Sequence, residues 1–143
     1  MQPSQACVDL VKSSEGCRLT AYRDSTGLLT IGWGSTGGIT EGQTITQDQA
    51  DAMLLDDIDA AAEQVTAMVT VPLVQGQFDA LTDFVYNLGA GRLRDSTLLR
   101  LLNQGNVQGA ANQFQYWVMA GGQKLPGLVT RRATERLLFE GST

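Results

Sequence analysis

The chain has 143 residues and no histidine. Catalytic groups that depend on an imidazole base are therefore excluded, and so are zinc sites built from histidine ligands. The groups that remain for acid and base catalysis are mainly carboxylates, whose protonation depends on burial and on neighbouring charges. The sequence therefore favours carboxylate chemistry and implies no metal and no organic cofactor.

Cysteine and long apolar segments are also scarce. A helix over residues 5 to 15 would hold the two cysteines, Cys7 and Cys17, about 12 Å or more apart, so we expect two free and partly buried thiols. Neither a long apolar run nor a basic, apolar leader is present, which predicts no membrane span and no signal peptide. We expect the chain to stay in the cytosol, without stable membrane association, unless another protein releases it. A membrane anchor would have to precede residue 1 in a longer natural chain.

Positive charge is rare in the first two thirds of the chain. Residues 1 to 91 carry 3 basic and 12 acidic residues, residues 92 to 143 carry 7 basic and 3 acidic residues, and the formal net charge is −5. Most of the acidic excess lies on one predicted helix, where a solvated face is the ordinary explanation. Because the last third of the chain is basic, it could face an anionic polymer. Because no basic stripe with interleaved aromatic residues is present, we do not expect nucleic acid as a partner.

Hydrophobic spacing and turn residues predict a helix and a hairpin in the first third of the chain. Residues 5 to 15 have apolar side chains at helical spacing, with Ser4 as the N-cap and Gly16 at the end. Strands are predicted over residues 18 to 22 and 28 to 33, joined by a polar turn. A third short strand is expected after the glycines that follow.

The rest of the chain is predicted to be helical. Residues 46 to 49 have the form of a capping box and begin a long helix that runs to about residue 69. Further helices are predicted near residues 75 to 88, 96 to 103, 107 to 116 and 128 to 140. We expect one domain of the α+β class over residues 1 to 143, with a hairpin lobe at about residues 16 to 45 and a helical lobe at about residues 70 to 143 plus the N-terminal helix. The long helix would join the two lobes.

Two carboxylates lie close together at the start of this arrangement. Glu15 ends the first helix beside an apolar face that would favour its protonated form, whereas Asp24 lies in a polar turn and would stay ionised. Hydrolysis of a glycosidic bond requires such a proton donor and a second group that activates water. Thr30, on the returning strand, could hold a water against Asp24. By spacing alone, an N-cap or turn role explains such an aspartate more often than catalysis does.

A longer pattern surrounds these three residues. Residues 15 to 34, E-G-x-R-L-x-A-Y-x-D-x-x-G-x-x-T-I-G-W-G, resemble the signature of the phage-type lysozymes of glycoside hydrolase family 24. Similar patterns follow as F-D-A-L-x-x-F-x-Y-N-L-G at 78 to 89, S-T-L-L at 96 to 99, W-x-x-A-G-G at 117 to 122 and L-P-G-L-V-x-R-R-x-x-E at 125 to 135. The resemblance therefore covers nearly the whole chain.

The resemblance implies a mainly helical, lysozyme-like fold with glycan bound in a cleft between the two lobes. The implied reaction is hydrolysis of the β-1,4 bond between N-acetylmuramic acid and N-acetylglucosamine in bacterial peptidoglycan. Glu15 matches the general acid, Asp24 the carboxylate that activates or steadies water, and Thr30 the threonine that holds this water. The substrate-binding residues that the resemblance implies are Tyr86, Asn87, Thr97, Thr36, Arg131 and Arg132.

The resemblance also implies a biological setting. Such an endolysin would accumulate in the host cytosol and reach the cell wall when a holin opens the inner membrane. Because nothing in the sequence resembles an interface stripe, we expect a monomer. An inverting reaction is expected, with the two carboxyl groups roughly 6.5–9.5 Å apart. A lytic transglycosylase and a peptidoglycan-binding module without turnover are the alternatives, and neither would require the complete set of Glu15, Asp24 and Thr30.

Several positions depart from the family pattern or stay open. Ser35 stands where the family often has a histidine, and the acidic net charge contrasts with the basic charge usual in such enzymes. We expect Trp33 to pack in the small lobe rather than stack on a sugar. Tyr86 is either a core tyrosine or a sugar contact. Either Arg131 or its neighbour could pair with Glu15.

Overall fold

Residues 1–141 are described in a computed structural model of the protein, and they form seven α-helices, one 3₁₀ helix and five short strands. In chain order the elements are α1 (Gln5–Glu15), β1 (Arg18–Arg23), β2 (Leu29–Gly32), β3 (Ser35–Thr36), α2 (Gln47–Met68), α3 (Gln75–Leu88), α4 (Ala90–Arg94), α5 (Thr97–Asn103), α6 (Val107–Ala111), the 3₁₀ helix Phe114–Tyr116, β4 (Met119–Ala120), β5 (Gln123–Lys124) and α7 (Pro126–Phe139). The predicted α+β class, mainly helical with a small sheet, is confirmed.

Helix α1 has the predicted bounds and places Glu15 at its last position. Its inner face buries Cys7, Leu10 and Val11, and Gly16 ends it with a positive φ of 69°. Ser4 precedes the helix, but its hydroxyl group donates to the Asp79 carboxylate of α3 instead of capping α1. The start of α1 is therefore fixed to α3 by a tertiary hydrogen bond.

The first three strands form an antiparallel sheet with β2 in the middle. Thr30 on β2 pairs with Tyr22 on one side and with Thr36 on the other. A β-bulge lies between Arg18 and Tyr22. The third strand lies before Gly37 rather than after it, which corrects its predicted place. The turn that carries Asp24 is thus attached to the central strand that carries Thr30.

Helix α2 follows the sheet and begins with the predicted capping box. The Thr46 hydroxyl accepts from the Gln49 amide at 3.1 Å, and the Gln49 side chain accepts from the Thr46 amide at 2.9 Å. Its acidic residues are solvated only in part, because Asp51 accepts from the Trp33 indole at 2.8 Å and Asp57 accepts from the Ser35 hydroxyl at 2.6 Å. These two carboxylates tie the sheet region to α2.

Helix α3 forms the centre of the helical region, where eight consecutive residues, 78 to 85, are buried. The Phe84 ring packs edge-on against Phe114 and Trp117, with ring centroids 6.1 and 5.4 Å apart. The single helix predicted over 107 to 116 is wrong: α6 ends at Ala111 and a 3₁₀ turn brings Phe114 into this aromatic cluster. Neither α4 nor the β4–β5 hairpin was predicted, because each is too short for a periodic pattern to be visible.

Both cysteines are free, as predicted, and Cys17 is half-buried, but Cys7 is fully buried rather than partly so. Burial, and after it the negative charges of Asp83 and Asp79, raise the pKa of the Cys7 thiol, so this group stays neutral. Within residues 1–141 no helix is both long enough and apolar enough to cross a bilayer.

Candidate active site

Glu15 is held at the rim of the helical region by a single arginine. Arg131 on α7 donates through Nη1 to Glu15 Oε1 at 2.6 Å. Its Nε and Nη2 donate to Asp83 Oδ2 and Oδ1 at 2.9 and 2.7 Å. Arg131 is 5% exposed and Asp83 is fully buried, whereas the Glu15 side chain is 25% exposed. One guanidinium group therefore joins a buried carboxylate to one that solvent can reach.

The charge of Arg131 is secured by these two partners. Burial alone would lower its pKa, but the hydrogen bonds and negative charges of Asp83 and Glu15 raise the pKa above its ordinary value. A guanidinium that stays charged in a buried place is a permanent electrostatic partner for whatever carboxylate faces it.

The second oxygen of Glu15 faces the loop that follows β2. A Cβ atom at Gly34 would lie 3.4 Å from Glu15 Oε2 and 3.7 Å from the Tyr86 hydroxyl, and Gly34 has a φ of 105° that favours glycine. Tyr86 on α3 donates to the Trp33 carbonyl at 2.9 Å. Burial, and after it the charge of Glu15, raise the pKa of Tyr86. The half-buried Tyr86 therefore joins α3 to the sheet beside Glu15.

Asp24 is held by its own turn. Its Oδ1 accepts from the Thr26 amide at 2.8 Å, the Thr26 hydroxyl at 2.6 Å and the Leu28 amide at 3.0 Å. The Thr26 hydroxyl first, and then the Leu28 amide, lower the pKa of Asp24. Because three donors occupy Oδ1, the other oxygen, Oδ2, is the one left for a further ligand.

Thr30 lies next to this turn with its donor already used. It is 4% exposed, and its hydroxyl donates to the Leu28 carbonyl at 3.0 Å. The hydroxyl oxygen can still accept a hydrogen bond. Asp24 and Thr30 therefore each retain an oxygen that can accept a further hydrogen bond.

The predicted substrate-binding residues fall into separate places. Thr36 and Tyr86 line one groove with Asp57, while Asn87 and Arg131 line a larger groove with Glu15 between α1 and α7. Thr97 is exposed at the first turn of α5.

Arg132 points in the other direction. It is 1% exposed and donates to Asn87 Oδ1 at 2.8 Å and to Glu135 Oε2 at 2.9 Å. Of the two adjacent arginines, only Arg131 reaches Glu15. No role was predicted for Asp83 or Glu135, although both lie within the motifs quoted above. The available signal was their acidic character on helix faces that otherwise bury apolar residues.

Trp33 and Ser35 both bind carboxylates of α2. Trp33 packs against the buried cluster of α1 and α2, with its ring nitrogen bonded to Asp51, as expected of a packing residue. Ser35, in place of the family's histidine, is 3% exposed and bonded to Asp57. In residues 1–141 no group of three or more acidic or cysteine side chains is placed to hold a metal ion.

Comparison with known proteins gives a consistent set of matches. A family model described as phage lysozyme matches residues 12–135. The endolysin of Bacillus phage PZA is 44% identical over 146 residues, covering 100% of this chain and 57% of that protein. The SAR-endolysin of bacteriophage PS119 is 43% identical over 123 residues, covering 85% of this chain and 74% of that protein. The chain thus spans little more than half the length of the Bacillus phage relative.

The structural comparison agrees with the sequence comparison. A crystal structure of a P22 lysozyme mutant matches with a TM-score of 0.86 and 39% identity, covering 98% of this chain and 99% of that chain. The lysozyme-like fold expected from the sequence is confirmed by this likeness.

Proposed function

The chain belongs to the phage lysozyme family, and we propose that it is an endolysin that hydrolyses bacterial peptidoglycan. The bond cleaved is the β-1,4 bond between N-acetylmuramic acid and N-acetylglucosamine. The observation that carries the proposal is the pair of differently held carboxyl groups. Glu15 is bound by a buried arginine at a cleft rim, and Asp24 is bound by three donors in a polar turn.

Glu15 is the general acid in this proposal. Its Oε1 is occupied by Arg131, so the proton for the leaving glycosidic oxygen is carried by Oε2, beside Gly34. The absence of a side chain at Gly34 leaves room for the sugar oxygen.

Asp24 and Thr30 hold the water that attacks the anomeric carbon. The water donates one hydrogen to Asp24 Oδ2 and the other to Thr30 Oγ1, which directs a lone pair towards the sugar. A carboxylate with a lowered pKa is a weak base. Asp24 therefore orients the water and stabilises positive charge, and it accepts the proton as the new carbon–oxygen bond forms. The glycosidic bond breaks with the proton of Glu15 on the leaving oxygen, and inversion is the expected outcome.

The setting proposed for this activity is host lysis. The chain would act as one catalytic domain and as a monomer, accumulating in the cytosol and reaching the cell wall after a holin opens the inner membrane. Contacts of Tyr86, Asn87, Thr97, Thr36 and Arg131 with the glycan are part of the same proposal. Arg132 would act on the glycan only through its hydrogen bond to Asn87.

The test is digestion of purified peptidoglycan, followed by borohydride reduction and mass spectrometry. Reducible muramic acid ends with one added water are expected. Anhydro ends would indicate a lytic transglycosylase instead, and intact glycan that still binds the protein would indicate a module without turnover. Glu15→Gln should abolish release, and Glu63→Gln, an exposed carboxylate on α2, is the matched control.

A further inference from the structure

Arg132 is a buried arginine whose guanidinium group is held from several sides. Its Nε and Nη2 lie 2.7 and 2.9 Å from the two side-chain oxygens of Glu135, three residues further along α7. Its Cζ lies 5.2 Å from the centroid of the Phe84 ring, and its Nη1 donates to the Trp117 carbonyl at 3.4 Å. Because the guanidinium plane is fixed by these partners and is almost completely buried, Arg132 can affect a ligand only through another residue.

That other residue is Asn87, near the end of α3. Arg132 Nη2 donates to Asn87 Oδ1 at 2.8 Å. A guanidinium group has donors only, so the amide oxygen must face it, since the reversed amide would set hydrogens against hydrogens. The Asn87 Nδ2 group therefore points away from Arg132. Within residues 1–141 it has no hydrogen-bond acceptor, and it is not buried.

The free amide group of Asn87 is available to a ligand. Asn87 is half-buried and lines the groove between α1 and α7 together with Glu15 and Arg131. Since its oxygen is already bound by Arg132, Asn87 can offer this groove a donor and no acceptor. The groove therefore combines the carboxyl group of Glu15 with a neutral donor of fixed orientation.

A donor of fixed orientation recognises a particular kind of atom. A sugar hydroxyl group can donate or accept, so it would suit either orientation of the Asn87 amide. A carbonyl oxygen can only accept, so it suits one orientation alone. In peptidoglycan such oxygens belong to the N-acetyl groups of both sugars and to the amide that joins the lactyl group of muramic acid to the stem peptide.

We propose that Arg132 is a positioning residue that holds the Asn87 amide in the orientation in which Nδ2 donates to an acyl carbonyl oxygen of the glycan. Arg132 itself touches no substrate atom. The inference rests on the proposed function, because it requires glycan in the groove beside Glu15.

The physical gain is preorganisation. The last torsion of an asparagine side chain has a broad energy profile, so an amide without a fixed partner takes several orientations. Part of the binding free energy would then be spent on ordering the amide. The bond from Arg132 removes that cost before the glycan binds.

Helix α7 also provides a matched control, because the same three types of side chain meet at its end. Arg136 pairs with Glu140 at 3.1 Å and donates through Nη2 to Asn112 Oδ1 at 2.6 Å. Asn112 is exposed, and the described residues that line the groove include none of these three. Substitutions here repeat the chemistry of the Arg132 arrangement without the groove.

The test begins with Arg132→Met/Glu135→Leu, which replaces the buried pair by apolar side chains. Such a replacement often leaves stability unchanged or higher. The Asn87 amide then loses its fixed orientation, so the KM for soluble peptidoglycan should rise about fivefold while kcat changes little. Arg136→Met/Glu140→Leu should change neither constant. An unchanged KM in the folded Arg132→Met/Glu135→Leu variant would overturn the inference.

A double-mutant cycle with Asn87→Ala distinguishes positioning from a general loss of packing. Asn87→Ala alone should raise KM about tenfold, which corresponds to one hydrogen bond to the ligand. In the Arg132→Met/Glu135→Leu background it should raise KM only about twofold, because the amide already contributes less there. Independent structural effects would multiply to about fiftyfold in the triple variant, and that result would contradict a positioning role.

Modified substrates identify the carbonyl oxygen. If Asn87 binds an N-acetyl group, removing the acetyl groups should abolish the difference in KM between the wild type and Asn87→Ala. If the lactyl amide supplies the oxygen, removing the stem peptides with an amidase should abolish it instead. A difference that survives both treatments would overturn the assignment to an acyl carbonyl.

Asn87→Asp decides the matter if the double variant does not fold. The aspartate keeps an acceptor for Arg132 but has no donor for the glycan, so KM should rise at least as much as in Asn87→Ala. A wild-type KM in Asn87→Asp would mean that an oxygen, not Nδ2, faces the glycan. Dissociation constants for soluble glycan, measured for the same variants in the Glu15→Gln background, test the inference without turnover. A wild-type protein that binds glycan but releases no fragments would overturn the proposed function instead.

Discussion

The turn around Asp24 supplies all the hydrogen bonds of that carboxylate from residues 24 to 28, whereas Glu15 depends on Arg131, 116 residues further along the chain. The turn is exposed and its bonds are short-range. The support of Glu15 is buried and forms only when α1, α3 and α7 have packed together. The two halves of the proposed site should therefore respond differently to substitution. Substitutions in the turn should lower turnover alone, whereas substitutions in the buried half should lower both turnover and the free energy of unfolding.

The largest effect is expected from removing the acid itself. Glu15→Gln retains the shape of the side chain but has no proton to give, so kcat should fall by about 10³-fold or more. Asp24→Asn should lower kcat by about 10²-fold, because the amide cannot accept the proton of the water although Thr30 still holds that water. Initial rates of reducing-end release measure both. Equal losses would contradict the division of roles between donor and water-orienting group.

The next largest effect concerns stability in the buried half. Arg131→Gln leaves Asp83 as an unpaired, fully buried carboxylate, which should lower the free energy of unfolding by about 3–5 kcal/mol. Urea denaturation monitored by circular dichroism measures this change. Arg23→Gln, which breaks an exposed pair with Glu41, is the control and should change stability little. A small loss in Arg131→Gln would mean that α3 and α7 pack adequately without the ion pair.

A smaller effect is expected in the turn. Thr26→Ala removes the hydroxyl that bonds Asp24 Oδ1 but leaves the two backbone donors in place. Turnover should fall about tenfold with the thermal midpoint unchanged, and Thr26→Ser should restore activity. If Thr26→Ala lowered the midpoint as well, the turn would contribute to global stability and the contrast between the halves would weaken.

The smallest effect is a difference in pH dependence between the halves. The pKa of Glu135 is raised, so its contribution to stability is complete below about pH 4.5 and is lost as pH rises through the folded value. The pKa of Asp24 is lowered, so its contribution is present above about pH 3.8 and is lost as pH falls. The midpoint of urea denaturation should fall as pH rises above about 4.5 in the wild type, but this fall should be missing in Glu135→Gln. If the midpoint still falls with rising pH in this variant, another titratable group causes the fall.

Periodic patterns predicted the longer elements well because each has enough residues to repeat. Helix α1, the hairpin, α2 with its capping box, and α3 lie where the sequence placed them. The helix predicted over 107 to 116 failed, since the burial of Phe114 against Phe84 outweighed the continuation of a weak helical pattern. Elements of two to five residues have no period to detect.

The residues of the candidate site also divide into those that local sequence features predict and those that they do not. A polar turn and the end of a helix are local features, so Asp24 and Glu15 could be singled out from the sequence. The two adjacent arginines could not be told apart, because the choice depends on how α7 is rotated against α1 and α3. Asp83 and Glu135 were overlooked, since a buried carboxylate is recognisable only when its arginine partner is placed beside it.

The sequence by itself determined the helix that ends at Glu15, the turn that binds Asp24, and the exclusion of imidazole chemistry. These features depend on local spacing, backbone hydrogen bonds and composition. Only the tertiary structure decided that Arg131 faces Glu15 while Arg132 faces Glu135, and that three carboxyl groups share two guanidinium charges. Helix packing determines these pairings, because it buries charged residues that are far apart in the sequence beside one another and so couples their charges.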